Sequence, residues 1–149
     1  MSLQNKIDQD IKSAMLAKDS VRLRGLRAIK SAILLAKTEK GNTDLSEDIE
    51  IKVLQKLVKQ RKESAEIYKE QNRADLLAIE QEEQAVIEEY LPAQLSREEV
   101  EVLIKNLLAQ HGFSGMKDMG KAMSTVNSQL SGKADGKTIA EIVKSFLAS

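Results

Sequence analysis

The chain has 149 residues, 23 basic and 23 acidic side chains, no cysteine, one proline and no tryptophan. That balance argues against a protein that coats nucleic acid indiscriminately, and the missing thiols exclude disulfides, thiolate nucleophiles and zinc-thiolate sites. The longest unbroken apolar run, Ala32 to Ala36, is five residues, far below the ~20 a membrane-spanning helix needs. Abundant Ala, Leu, Glu, Lys and Gln predict an all-α fold. The opening MSLQNKIDQDIKSAM has charges at Lys6, Asp8, Asp10 and Lys12 and no apolar core, so it does not read as a signal peptide, and a cytoplasmic protein is expected.

Helix 1 is expected over Leu3 to Ala17, with Leu3, Ile7, Ile11 and Met15 on one stripe. Helix 2 starts on Asp19 or Ser20 and runs to Glu39 with Leu26, Ile29, Ile33 and Ala36 inward. Asp44 and Glu47 have capping-box spacing and open helix 3, which continues to Gln71 with Ile51, Leu54, Val58, Ala65 and Tyr68 on its stripe. Asn72 closes it, and helix 4 follows from Ala74 to Tyr90. Pro92, the single proline, stops that helix and marks a domain boundary. Residues 1–91 are thus expected to form a four-helix bundle, and residues 92–149 a small three-helix tail domain. In the tail, Ser96 and Glu99 form a capping box for helix 5, Gly112 ends it, helix 6 spans Ser114 to Leu130, and helix 7 spans Gly136 to Leu147.

Charge is unevenly placed along these elements. Lys52 to Lys62 carries five basic residues and no acidic one, whereas Asp75 to Glu89 carries six acidic residues unopposed. Catalytic patterns are missing: Glu80 and Glu83 have the spacing that begins a di-metal site, but no histidine follows. They read as a solvated acidic face. The sole histidine, His111, reads as a cation at a helix C-terminus. No catalytic residue, metal or cofactor is expected. The cations offer a binding reading instead. Arg24, Arg27, Lys30 and Lys37 project away from the helix 2 stripe as a basic ridge, and Lys52, Lys56 and Lys59 do the same on helix 3. Lys117 and Lys121 share a side of helix 6 beside Gly120, and Lys133 and Lys137 flank the turn before helix 7. Cations, helix starts and glycines that permit close approach suit a polyanion backbone. With two Tyr and two Phe there is little for stacking unpaired bases, so folded RNA read by shape is the fitting class.

The stretch SGKADGKT, Ser131 to Thr138, imitates a phosphate-binding loop. Gly132 stands one place too close to Gly136 for that motif, and a helix rather than a strand precedes it. It reads as punctuation, with Gly132 ending helix 6 and Asp135 capping the amides of Lys137 or Thr138.

EEYLPAQLS (Glu88 to Ser96), SGMKDMGKAM (Ser114 to Met123) and GKADGKTIAEIVKSFL (Gly132 to Leu147), with RKES and NRADLLAIEQEE upstream, resemble the GatB/YqeY family over nearly the whole chain. In the GatB subunit of glutamine-dependent tRNA amidotransferase the similar module is C-terminal, and its tail contacts the outer corner of tRNA. The catalytic cradle lies outside that module, so the resemblance implies tRNA binding rather than chemistry. Carried over by motif, the contact residues are Ser114, Lys117, Gly120, Lys121, Lys133, Gly136 and Lys137. Met123-Ser124 stands where many relatives have Met-Gly, and Asn127-Ser128-Gln129 lacks a more basic run. The partners implied are tRNA and a translation or amidotransferase-related protein. Two other roles fit the same residues: an accessory to amide transfer on misacylated tRNA, and a helical protein-interaction adaptor.

Overall fold

The computed structural model describes residues 2–149. Among them the fold is all-α: α1 (Leu3–Leu16), α2 (Ser20–Glu39), α3 (Glu47–Glu70), α4 (Ala74–Glu88), α5 (Arg97–His111), α6 (Met119–Leu130) and α7 (Gly136–Ala148), with a 3-10 turn at Met116–Asp118. The chain separates into two compact units, the first ending at Leu91 and the second spanning Pro92–Ser149.

In the first unit, α1 to α4 close around Ile7, Leu26, Ile29, Ile33, Leu54 and Ile87, all essentially sealed from water. Each such side chain contributes about 1.5–3 kcal/mol by leaving water. Helix starts follow local chemistry: Ser2 accepts from the Asn5 amide and Asp19 from the Arg22 amide. The expected capping box at Asp44 and Glu47 is replaced by Ser46, whose hydroxyl accepts from the Ile49 amide. Asp44 is drawn instead to Lys37, 3.4 Å away. Met15, expected inward, is 55% exposed, and Ala14 takes the buried place. The α1 stripe drifts because 3.6 residues per turn does not keep a strict spacing of four in register. Asn72, at φ 57°, supplies the left-handed residue that ends α3.

Gly25 sits at the tightest approach of the first unit. A Cβ placed there would lie 2.6 Å from Val86 Cβ on α4. Glycine in the middle of a helix costs roughly 0.5–1 kcal/mol against alanine, and here that cost lets α2 and α4 close on each other.

The second unit packs Val100 and Ile104 of α5, Ala122 and Val126 of α6, and Ile139 and Val143 of α7. Ser96 and Glu99 form the reciprocal capping box at the start of α5, and Gly112 at φ 67° ends it. Helix 6 was expected to begin at Ser114, but α6 proper begins at Met119. Gly115 at φ 77° breaks the helical path, and the Asp118 carboxylate accepts from the Ser114 amide at 2.9 Å, holding a 3-10 turn in place. Met116, in that 3-10 turn, is 47% exposed.

Candidate nucleic-acid interface

The turn between α6 and α7 is held by its backbone and leaves its lysines outside. The Lys133 amide donates to Leu130 O at 2.9 Å, and Lys133 O accepts from the Leu95 amide at 2.8 Å. Gln94 Nε2 donates to Gly132 O at 2.7 Å. Gly132, at φ 82°, supplies the left-handed step this path needs. The side chain of Lys133 is exposed, as are Gly136 and Lys137 in the first turn of α7.

Asp135 occupies the N-cap of α7 but does not cap its amides, correcting the sequence expectation. Its backbone is extended, and its side chain accepts from none of the first-turn amides. The carboxylate takes the Thr138 hydroxyl instead, at 3.4 Å. First-turn amides lack intrahelical partners by construction, so α7 presents an uncapped positive end beside Lys133 and Lys137.

On the neighbouring element, Ser114, Lys117, Gly120 and Lys121 are all exposed. The 3-10 turn carrying Lys117 packs against α7, and α6 carrying Lys121 packs against α7 as well. A Cβ added at Gly120 or at Gly136 would meet nothing within 4 Å, so neither glycine serves helix packing within the chain. Among the described residues, none of Lys117, Lys121, Lys133 and Lys137 forms an ion pair.

The four cations of the α2 ridge are placed differently. Arg24 pairs with Glu82 at 2.7 Å, Lys30 with Asp8 at 2.8 Å, and Lys37 with Asp44 while donating to Gln4 at 3.1 Å. Only Arg27 of the four is exposed without an ion pair among the described residues. The ridge is therefore turned onto α1, α4 and the segment before α3.

Glu80 and Glu83 are not a solvated acidic face. Their side chains are 18% and 17% exposed and flank Arg61, with Nε 2.8 Å from Glu83 Oε2 and 3.7 Å from Glu80 Oε2. Neither Arg61 Nε nor Glu80 Oε2 makes an aligned hydrogen bond. Burial pushes the Glu80 carboxyl above the usual range, partly offset by Arg61. No group of three or more His, Asp or Glu side chains that could hold a metal ion occurs among the described residues. His111 is the last residue of α5 and stacks on Phe113, ring centroids 5.5 Å apart.

Sequence reading did not anticipate the Tyr90 network. The Tyr90 hydroxyl donates to Asp10 and accepts from Arg22 at 3.1 Å, while Arg22 also pairs with Glu89. Lys6 Nζ stands 5.6 Å from the ring centroid. Burial pushes the Tyr90 hydroxyl far up, so it stays a donor. These partners are 68 and 80 positions apart in sequence, and no local pattern announces them.

The chain matches the family described as Yqey-like protein over residues 4–147. It is similar to "Altered inheritance of mitochondria protein 41, mitochondrial" of Kluyveromyces lactis, 33% identical over 137 residues, which is 89% of this chain and 69% of the relative. The protein of the same name in Lachancea thermotolerans is 35% identical over 70% of this chain and 57% of its own length. That of Meyerozyma guilliermondii is 38% identical over 58% of this chain and 45% of its own. The chain thus spans roughly half to two thirds of the length of these relatives. Their names overturn the cytoplasmic expectation, because each is named a mitochondrial protein. The features behind that expectation are a charged N-terminal stretch and short apolar runs, and among the described residues no helix is long and apolar enough to cross a membrane. They do not distinguish one aqueous compartment from another.

Proposed function

This chain belongs to the Yqey-like family, and on that premise we propose that it binds folded tRNA, reading backbone and shape through its second unit, without carrying out a reaction itself. The observation that carries this reading is the set of exposed lysines at 117, 121, 133 and 137, none engaged by a carboxylate among the described residues, set around a helix start whose amides take no side-chain cap. A lysine held by a neighbouring carboxylate must break that pair to reach a phosphate, whereas these four meet a phosphate at the cost of hydration alone. Gly120 and Gly136 add open backbone where a sugar-phosphate chain can lie close. The finer division into a helical bundle and an RNA-facing tail belongs to the same proposal. So does service as an accessory to amide transfer on misacylated tRNA, where this chain would hold the RNA and another protein would do the chemistry.

Fluorescence titration of labelled folded tRNA at low salt tests the reading. The intact protein should bind folded tRNA in preference to an unstructured RNA of equal length. Replacing Lys117, Lys121, Lys133 and Lys137 together by Ala should weaken binding at least tenfold. Absence of binding by the intact protein, or an unchanged affinity after the fourfold replacement, rules the reading out.

A further inference from the structure

The outer face of α3 carries six charges that lie outside the candidate interface. Lys52, Lys56, Lys59, Glu63, Glu66 and Glu70 are all exposed, and none forms an ion pair among the described residues. Projected at 100° per residue they fall within about 80° of arc, a single stripe along the helix. The stripe is segregated, with lysine in its first half and glutamate in its second.

The spacing has a symmetry that local needs do not require. Lys52 and Glu70 stand nine residues either side of position 61, Lys56 and Glu66 five, and Lys59 and Glu63 two. When two copies of one helix lie antiparallel across a two-fold axis at position 61, each lysine comes level with the glutamate that mirrors it. The same face then serves both copies, as an isologous contact demands.

Stability of the isolated helix does not explain the order of the charges. Lys59 and Glu63 are four apart, but with lysine first, the weaker orientation for an intrahelical pair, and they do not pair in the structure. Glu70 lies in the last turn, where a negative charge opposes the helix dipole. At the margin of the stripe Ile67 is 51% exposed, adding an apolar contact.

We propose that the outer face of α3, through Lys52, Lys56, Lys59, Glu63, Glu66 and Glu70, docks antiparallel on the same face of a second copy of this chain. The contact is small and polar, so the dimer is weak, reversible and sensitive to salt. It also sets these lysines apart from those of the second unit, since in the dimer they meet glutamate and not phosphate.

Sedimentation equilibrium of the full chain at roughly 0.02 M and about 0.5 M salt provides the test. The weight-average mass should rise above the 16.5 kDa monomer with concentration in low salt and fall back to it in high salt. A variant with Lys52→Glu, Lys56→Glu and Lys59→Glu should stay monomeric, as should one with Glu63→Lys, Glu66→Lys and Glu70→Lys. Their equimolar mixture should dimerise at least as tightly as the parent, because opposite stripes then face each other. A gentler pair guards against misfolding: Lys56→Glu alone should weaken association about tenfold, and adding Glu66→Lys in the same chain should restore it. A parent monomeric at every concentration, a mixture that does not associate, or a dimer indifferent to these changes overturns the proposal. It is equally overturned if the lysine reversals abolish tRNA binding while leaving the mass unchanged.

Discussion

The interlocked cations of the first unit and the lysines around α6 and α7 in the second are placed in opposite ways. Arg22, Arg24, Lys30, Lys37 and Arg61 each meet a carboxylate of another element, whereas among the described residues Lys117, Lys121, Lys133 and Lys137 meet none. Exposed pairs of the first kind contribute only about 0–1 kcal/mol each to stability. Their larger effect is to withdraw charge from any external anion. A count of basic residues along the sequence therefore favours α2 and α3, whereas the proposed binding surface rests on unpaired lysines around α6 and α7. Two helical glycines show a parallel contrast: Gly25 of α2 is closed against Val86, and Gly120 of α6 is open.

Each contrast can be broken by substitution. The largest effect is expected at the half-buried clamp of the first unit. Arg61→Met removes the cation between Glu80 and Glu83 and should cost about 2–4 kcal/mol near neutral pH, read by urea denaturation. The pH dependence has a definite sign. The Glu80 carboxyl is raised in the folded state by burial, so the native protein holds its proton to higher pH than the unfolded chain does. Stability associated with that proton is present at acid pH and lost as pH rises through the folded value. The penalty of Arg61→Met should therefore shrink as pH is lowered toward the carboxylate range, and a penalty that grows on acidification would contradict the clamp.

Glycine replacements come next. Gly25→Ala gains about 1 kcal/mol of helix propensity but forces Val86 and the α2–α4 contact to move, an overpacking cost of roughly 1–3 kcal/mol. A net loss of thermal stability is expected. Gly120→Ala, in open space, should instead raise stability by about 0.5–1 kcal/mol while weakening tRNA binding. The same chemical change thus acts with opposite sign in the two units, and equal effects would erase the distinction. Smaller still, Arg24→Gln should change stability by less than about 1 kcal/mol and leave tRNA affinity within twofold.

Much of this architecture was legible in the sequence because it rests on local chemistry. The Ser96 and Glu99 capping box, Asp19 as N-cap, Asn72 and Gly112 as left-handed stops, and the family resemblance are all readable within a few residues. What escaped depends on contacts between distant positions. Nothing near Gly25 in RLRGLRAIK announces Val86, and Glu80 and Glu83 look like a charged surface until Arg61 is placed between them. Near neighbours also misled where two caps competed. Ser46 displaced Asp44, and Asp118 held the Ser114 amide so that α6 started late. For the candidate site, the sequence supplied the lysines and glycines but could not say which cations were free. Pairing is a property of the fold, and only the fold separates the Lys30 kind from the Lys133 kind.

The most direct test of that separation is the salt dependence of tRNA binding for two variants of the full chain. Each phosphate neutralised contributes about 0.7–0.9 to the slope of log affinity against log salt. Replacing Lys117, Lys121, Lys133 and Lys137 by Ala should flatten the slope by about three units, and replacing Arg24, Lys30 and Lys37 by Gln should leave it nearly unchanged. A slope that falls with the α2 residues and ignores the four lysines of the second unit would contradict the assignment.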